Sequence, residues 1–445
     1  MAKVGSNKLT PLMLPGLKKT TSKKHLFKDV LFFISAIAIP SSFFNFIDRS
    51  FFVDIRLFYL LIGVLYLVLN FKYIQKFKRI KGAKLLLLLC FFLLFKILHS
   101  LLFQNIIWTE VVTIFRTNFF YPIITLGFLL YASKMDNKRL YRFFYWLFTV
   151  TLIQGILYII ANITGVNFYA NSNKEFQQFQ GVTIIQNLNA IPDYNIFLFA
   201  FAILTLFTVS NFKKHWMWFV PLLLTILTIV RNQIIVYFLV IIIIYSLGVI
   251  SNIKIKGGKI FKALILLSLF SIIGFLVFPA HIGRIVNKFG FDQNESISAS
   301  NYTEEGTFKV RLDLISKAYN SIEQNDNLIL GNGYIREARK GEYDFVVGDD
   351  TLLAPVLWAE GLLGIIIRLL PVLIFLFYGL KNLHNKNKFI SLISLMILGI
   401  TIPEIFNGVQ TKIFTYYHQY LFIFFLLMLI IYNDKMYQRK KSLIK

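Results

Sequence analysis

The sequence predicts an all-α, polytopic membrane protein with about twelve transmembrane helices and one large, partly helical extracytoplasmic loop. Of its 445 residues, 57% are hydrophobic and 16% are charged, whereas a soluble domain is about 45–50% apolar and about 25% charged. The apolar residues also fall into runs of about 18–25, the length that crosses a bilayer as a helix. One soluble core could not hide this much apolar surface.

The predicted spans follow these apolar runs. They lie near 30–47, 55–74, 85–104, 111–131, 140–163, 190–209, 215–230, 233–250, 260–279, 353–379, 389–403 and 414–432. The run at 353–379 is too long for one upright helix. We expect Gly361, Gly364 and Pro371 to bend it, with its first two turns at the membrane surface.

Charge gives the orientation of these spans. Most of the 47 Lys and Arg lie in short segments that would alternate with poorly basic loops across a membrane, as the positive-inside rule requires. The basic segments are 1–29, 72–84, 132–142, 210–215, 251–262, 381–388 and 433–445. Both termini are therefore expected in the cytoplasm, and the net charge of +25 does not indicate a nucleic-acid partner.

The resulting organisation has five parts. They are a cytoplasmic tail at 1–29, transmembrane helices at 30–279, the large extracytoplasmic loop at 280–352, further transmembrane helices at 353–432, and a cytoplasmic tail at 433–445. The loop holds twelve acidic and eight basic residues, so it is not another basic cytoplasmic connection. It is the only connection large enough to carry its own structure.

The loop itself contains a recognisable pattern. Residues 309–324 predict an amphipathic helix, because Val310, Leu314, Ala318 and Ile322 fall on one stripe. A turn at 325–327 and a tight glycine loop at 331–333 follow it.

Familiar soluble-enzyme signatures are missing from the sequence. It has no phosphate-binding loop, no Gly-x-Ser-x-Gly and no His-Glu-x-x-His. Its single cysteine, Cys90, cannot form an internal disulfide or a metal site alone. We expect no metal and no cofactor.

Charged residues near the predicted outer face are the candidate functional groups, because charge inside a bilayer is costly. Arg231 could contact lipid phosphate or bind an anion at the rim of a cavity, and Arg311 could be a solvated surface residue or join it. Arg116 and Asp193 could form structural pairs or contact a substrate.

Further candidates lie where the chain re-enters the membrane. Asp349 and Asp350 could cap a helix, and a carboxylate there could also accept a proton from a sugar hydroxyl. For Glu360 the sequence gives no clear partner, and Arg368 is expected to face lipid.

Three stretches resemble the O-antigen polymerase and ligase superfamily of bacterial membrane glycosyltransferases. They are the Thr-x-x-Arg ending at Arg231, the segment from Arg311 to the glycine loop and Tyr334, and the segment from Asp350 to Glu360-Gly361-Leu362-Leu363-Gly364. The order and spacing carry the resemblance, over about a third of the chain. Ligases of the family usually carry His where Asp350 stands, so the chain is more similar to the polymerases. The family's frequent Pro before the glycine loop is replaced by Leu330.

The resemblance implies a GT-C-like fold in the bacterial plasma membrane, with an active site on the extracytoplasmic face. A glycan would move from undecaprenyl diphosphate to the terminal sugar of another lipid-linked unit, with inversion, during O-antigen, capsule or exopolysaccharide synthesis. Arg231 and Arg311 would hold the diphosphate and Asp350 would orient or deprotonate the acceptor. Substrate contacts are expected at Arg116, Asp193, Tyr334 and Asp349.

Implied partners are the lipid-linked oligosaccharide, membrane lipid, and a chain-length regulator and flippase. Two alternatives stay open. A ligase would pass finished glycan to another acceptor, and Asp350 in place of His disfavours it. A transporter would move lipid-linked sugars without chemistry. It would carry charges near the membrane midplane, and it would lack a large ordered outer loop.

Overall fold

The computed structural model describes eleven stretches of the chain and a few isolated positions between 258 and 276. The stretches are 23–38, 55–80, 82–104, 110–111, 120–164, 176–179 with 182–185, 231–253, 306–335, 353–410 and 417–443. These residues are mostly helical, which confirms the predicted helical class. The predicted spans at 190–209 and 215–230 lie outside the described residues.

The described helices follow one another along the chain. They are α1 (Lys23–Phe33), α2 (Ile55–Asn70), α3 (Ile74–Lys78), α4 (Ala83–Phe103), α5 (Phe120–Ala132), α6 (Asn137–Thr164), α7 (Arg231–Ile250), α8 (Gly306–Gln324), α9 (Leu353–Leu383), α10 (Lys388–Gln410) and α11 (Tyr417–Leu443). A π-helical turn, Ile34–Ala38, extends α1, and a short 3-10 turn, Phe71–Tyr73, joins α2 to α3.

A short hairpin departs from the all-α prediction. Strands β1 (Phe176–Phe179) and β2 (Val182–Ile185) pair antiparallel, with Phe176 opposite Ile185 and Phe179 opposite Val182. A strand of four residues gives too short an alternating pattern to be predicted from the sequence.

Two of the described helices, α4 and α9, are long and apolar enough to cross a membrane, with 21 and 31 residues. Shorter apolar helical stretches are Pro122–Ala132, Ile235–Ile250 and Lys388–Pro403. Length and composition alone support this statement, and the number of about twelve spans stays a prediction.

An aromatic cluster joins five of the described helices. The ring of Phe32 on α1 is fully buried. Four other helices place rings around it: its centroid lies 5.8 Å from Tyr66, 5.8 Å from Phe128, 5.5 Å from Phe143 and 6.2 Å from Phe422. Edge-on and tilted ring pairs of this kind contribute about 0.5–1.5 kcal/mol each beyond their buried area. Residue Phe32 therefore joins α1, α2, α5, α6 and α11.

Helices α2 and α5 approach closely where each carries a glycine. A Cβ atom built on Gly127 would lie 3.0 Å from the Leu67 nitrogen, and one on Gly63 would lie 2.5 Å from Ile124 Cγ1. Small residues at a crossing let two helix backbones meet, as is common between helices in membranes.

One end of the bundle collects the described parts of the basic segments. Side-chain amides join these segments through hydrogen bonds from one segment to the next. These bonds run from Asn252 Nδ2 to His384 O (2.8 Å), from Asn137 Nδ2 to Ile430 O (3.3 Å), from Asn433 Nδ2 to Met135 O (3.3 Å) and from Asn387 Nδ2 to Asp434 Oδ2 (2.6 Å). We call this the basic end of the bundle. Helix α4 leaves it, and α9 returns to it.

The loop helix α8 packs on the first part of α9. Ala318 and Ile322 are fully buried and Leu314 packs beside them, which confirms the predicted apolar stripe at these three positions. The indole of Trp358 donates a hydrogen bond to Ser321 Oγ at 3.2 Å. After α8 the chain turns at Asp326, whose φ is 55°, and forms the predicted glycine loop.

Helix α9 is broken at Gly361, where φ is 68° and ψ is −167°. This confirms a bend among the three positions that the sequence suggested, and it lies at the first of them. Such a conformation is accessible essentially only to glycine.

Replacing Gly361 with alanine is expected to lower the free energy of unfolding by about 3 kcal/mol or more, because backbone strain and a steric clash add. The new Cβ would lie 2.5 Å from the Gly331 nitrogen and 2.6 Å from the Ile329 carbonyl carbon. Thermal and denaturant unfolding in detergent would measure the change. The matched control is Gly258→Ala, since a Cβ there meets nothing within 4 Å. Equal stability of the two variants would contradict the prediction.

Candidate functional site

The break in α9 frees backbone groups that pair with segment 328–333, which ends in the glycine loop. Four hydrogen bonds cross between the two segments: Asn332 N to Trp358 O (2.8 Å), Gly333 N to Ala359 O (3.0 Å), Leu362 N to Leu328 O (3.1 Å) and Leu363 N to Ile329 O (3.1 Å). Two carbonyls that end the first part of α9 and two amides that start the second part thus find partners. Irregular backbone in an apolar setting requires such pairing.

The two segments fit together because glycines stand at the contact. A Cβ on Gly331 would lie 2.8 Å from both the Ala359 carbonyl carbon and the Glu360 nitrogen. Gly331 and Gly333 have φ of 71° and 87°, which favours glycine at both positions. The glycine loop and the Glu360–Gly364 stretch, two parts of the family-like pattern, are therefore in direct backbone contact.

A buried ion pair lies beside this contact. Arg368 Nε donates to Glu360 Oε2 at 2.7 Å, and Arg368 Nη2 bonds to Glu360 Oε1. Glu360 is fully buried and Arg368 is 8% exposed. The Tyr334 hydroxyl donates to the same Oε1 atom. Charge-assisted hydrogen bonds of this kind are among the strongest in proteins.

Gly364 makes room for the Glu360 side chain. A Cβ on Gly364 would lie 2.7 Å from Glu360 Oε2, so any larger residue would displace the carboxylate. The two glycines are thus needed for different reasons. Gly361 adopts the conformation that breaks the helix, and Gly364 leaves space for the Glu360 carboxylate.

Helix α4 contributes a polar stripe at intervals of four residues. Lys96 Nζ donates to Leu330 O at 2.5 Å. Ser100 Oγ donates to Lys96 O at 2.7 Å and accepts from Tyr334 N at 2.7 Å, and Gln104 Nε2 donates to Asn332 O. The stripe ties the glycine loop to a second helix.

Lys96 brings a second buried cation to the site. Its side chain is fully buried and interacts electrostatically with Glu360. His99 Nδ1 lies 3.4 Å from Lys96 Nζ, and its half-buried ring packs 4.8 Å from the ring of Phe103. We call Lys96, His99, Tyr334, Glu360 and Arg368 the charged cluster.

The charged cluster can fix geometry and attract anions. Its carboxylate pairs with Arg368 and interacts electrostatically with Lys96, so two cations accompany one carboxylate. Buried charges persist only with close partners, which holds these side chains in one arrangement. Among the residues that the structure describes, no three His, Cys, Asp or Glu are grouped so that they could hold a metal ion.

The site residues predicted from the sequence are described to different extents: one with its side chain, two by their backbone alone, and four not at all. Tyr334 lies in the charged cluster, with its hydroxyl on Glu360. The backbone of Arg231 lies in the first turn of α7 and that of Arg311 in the second turn of α8, and their side chains are outside the described residues. Outside the described residues altogether are Arg116, Asp193, Asp349 and Asp350. The meeting of Arg231 with Arg311 stays a prediction.

Arg368 corrects one expectation. The sequence suggested that it faces lipid, but it is buried against Glu360 because a fixed carboxylate within reach outweighs distant lipid phosphate. Sequence reasoning also missed Lys96, Ser100 and Gln104. The signal was a lysine inside an apolar run, followed by polar residues at four-residue intervals, which places all three on one helix face.

Glu360→Gln is expected to lower the free energy of unfolding by about 3–5 kcal/mol, because it leaves two buried cations without their carboxylate. Arg368→Gln should cost less, since Lys96 still faces Glu360. Denaturant unfolding of both variants in detergent would compare the two costs. The control is Glu323→Gln on the exposed face of α8, expected within about 0.5 kcal/mol of the parent. A larger cost for Arg368→Gln would contradict the assignment of Glu360 as the shared partner.

No protein-family model matches this sequence, and no curated protein matches it. Membership of the O-antigen polymerase and ligase superfamily therefore stays a prediction that rests on the three motifs.

Proposed function

We propose that the protein is a polysaccharide repeat-unit polymerase, a glycosyltransferase that uses a glycan on undecaprenyl diphosphate as donor. One observation supports this most directly. Two of the three family-like stretches, the glycine loop and Glu360–Gly364, meet at the break in α9, beside buried positive charge. Motifs that are separate in sequence and joined in space are expected of a functional site.

The proposed reaction is a single inverting displacement. The acceptor hydroxyl attacks the anomeric carbon of the donor sugar, the bond from that carbon to the diphosphate oxygen breaks, and the hydroxyl proton passes to Asp350. Negative charge grows on the leaving diphosphate, where Arg231 and Arg311 would stabilise it. Arg116, Asp193 and Asp349 would contact substrate. No cofactor takes part.

The charged cluster would hold the glycine loop in place beside this site. Glu360, Arg368 and Lys96 hold the glycine loop through Tyr334 and the Leu330 carbonyl. The loop follows α8 directly, and α8 carries Arg311 in its second turn. Fixing the loop would therefore fix the base of the helix that bears one diphosphate-binding arginine. Catalysis by preorganised charge needs such rigidity.

The proposed setting is the bacterial plasma membrane, crossed about twelve times. The basic end would face the cytoplasm, and the loop 280–352 would face outward. A flippase would deliver the lipid-linked units, and a chain-length regulator would end polymerisation.

A transporter of lipid-linked sugars is the second candidate, and the charged cluster is what favours it. Lys96 lies seven residues before the end of α4, and Glu360 lies seven residues after the start of α9. At 1.5 Å per residue this is about 10 Å inside each helix. Charges at that depth are typical of transport pathways. Transport and polymerisation differ in their product, because only polymerisation lengthens the glycan.

Purified protein in lipid vesicles, given undecaprenyl-diphosphate-linked repeat units, is expected to form a ladder of longer glycans without nucleotide sugar. Arg231→Ala and Arg311→Ala should each lower the rate by about 100-fold or more, since each removes a cation from the developing diphosphate. Gel separation of labelled glycans would measure both.

The matched control is Arg79→Ala, an exposed arginine at the basic end, which should keep the parent rate. Ladders that persist in both arginine variants would remove the proposed site. Repeat units that cross the bilayer without becoming longer would favour the transporter.

A further inference from the structure

The basic end of the bundle carries a second concentration of charge, far from the charged cluster. Lys134 follows the end of α5, and its ammonium lies 3.7 Å from the ring centroid of Tyr131 and 3.0 Å from Asn70 Oδ1. Lys72 lies over the neighbouring ring of Tyr73, 5.5 Å from its centroid. The hydrogen bond and ring contacts of Lys134 that the structure describes are thus all with neutral groups.

Neighbouring helices add further cations around Lys134. Lys28 on α1 lies close by, because its carbonyl accepts a hydrogen bond from the Tyr131 hydroxyl. Arg139 and Arg142 on α6 share the carboxylate of Asp29, with Arg139 Nε 3.0 Å from Oδ2 and Arg142 Nη1 3.9 Å from it. We call Lys28, Lys72, Lys134, Arg139 and Arg142 the basic cluster.

Negative charge at this end is too scarce to balance the basic cluster. The seven basic segments of the sequence contain three acidic residues, Asp29, Asp136 and Asp434. Each of the three already has a partner. Asp29 pairs with Arg139 and Arg142, and Asp136 Oδ1 caps α6 by accepting a hydrogen bond from Arg139 N at 2.8 Å. Asp434 accepts a hydrogen bond from the Asn387 side chain. An anion from outside the chain would relieve the repulsion.

Several like charges surround Lys134. Burial, together with the like charges of Arg139, Lys28 and Lys72, lowers the pKa of Lys134 to about 8. The groups that face it are Lys28 and Asp29 on α1, Lys72 and Tyr73 after α2, Tyr131 on α5, and Arg139 on α6, which itself contacts Asp136. Its half-buried side chain can still reach a ligand.

Exposed apolar faces begin at this cluster. Phe27 precedes Lys28 and is 71% exposed, and Phe71 precedes Lys72 and is 57% exposed. On α2 the exposed face continues through Val68 and Leu65 to Leu61, which is about 10 Å of helix. Positive charge at one end of an exposed apolar face matches an amphiphile with an anionic head.

We propose that the basic cluster binds the phosphate of an anionic phospholipid from the surrounding leaflet, with acyl chains along the exposed faces of α1 and α2. The apolar faces distinguish a lipid from free phosphate, which would gain nothing from them. This binding depends on the membrane setting proposed above and is independent of glycosyl transfer.

The full-length protein, stripped of lipid in a neutral detergent, would be titrated with short-chain phosphatidylglycerol at constant ionic strength. Native mass spectrometry would count bound lipids, and the unfolding midpoint would follow stabilisation. Saturable binding with a rise in the midpoint is expected. Phosphatidylcholine of the same chain length, and inorganic phosphate, should bind at least about fivefold more weakly.

Lys134→Gln and Lys72→Gln should each weaken phosphatidylglycerol binding by about fivefold, as loss of one lysine near an anionic surface does. Lys72 is exposed, so its variant reports on binding even if Lys134→Gln folds poorly. Lys386→Gln removes an exposed lysine from the same end but outside the cluster, and should bind like the parent.

Raising the pH from 7 to 9 provides a further test, because Lys134 loses most of its charge over that range while lysines with ordinary pKa values keep theirs. Binding by the parent should fall about fivefold, and binding by Lys134→Gln should fall less. Equal binding of phosphatidylcholine or inorganic phosphate, or an equal loss in Lys386→Gln, would overturn the proposal.

Discussion

Backbone hydrogen bonding across the break in α9 is the constraint on which the packing of α4, α8 and α9 around the glycine loop depends. A helix interrupted in apolar surroundings leaves amides and carbonyls that water cannot reach, and each would cost several kcal/mol if unpaired. Segment 328–333, which ends in the glycine loop, supplies all four partners described on the two sides of Gly361. Its position follows from that requirement, and so do the glycines at the contact and the space that Gly364 leaves for Glu360.

The two ends of the bundle use positive charge differently. Near the glycine loop, Lys96 and Arg368 are buried around one carboxylate, so their charge fixes a structure. At the basic end, Lys72 and Lys134 lie over aromatic rings and remain accessible, so their charge is open to a ligand. Helices α4 and α9 each run from the charged cluster to the basic end, so each connects the buried charges to the surface that is rich in cations.

Local features of this fold could be predicted from the sequence, and distant pairings could not. The stripe of Ala318 and Ile322 follows from helical periodicity, and the glycine loop follows from its composition. The contact of Lys96 with the Leu330 carbonyl joins residues more than two hundred positions apart, and no local pattern encodes it. Arg368 was assigned to lipid because its neighbours are apolar, while its partner lies across a helix break whose conformation the sequence only suggested.

The pairing at Gly361 also bears on how the protein is made. Leu328 and Ile329 leave the ribosome before α9 does, and their carbonyls accept hydrogen bonds from Leu362 and Leu363. If α9 entered lipid alone, its broken backbone would meet hydrocarbon with amides and carbonyls unsatisfied. In the proposed membrane setting, segment 328–333 would therefore have to be across the bilayer, and folded, when α9 leaves the insertion machinery. With that topology, biogenesis would require that translocation of a polar segment precede the release of the helix that follows it.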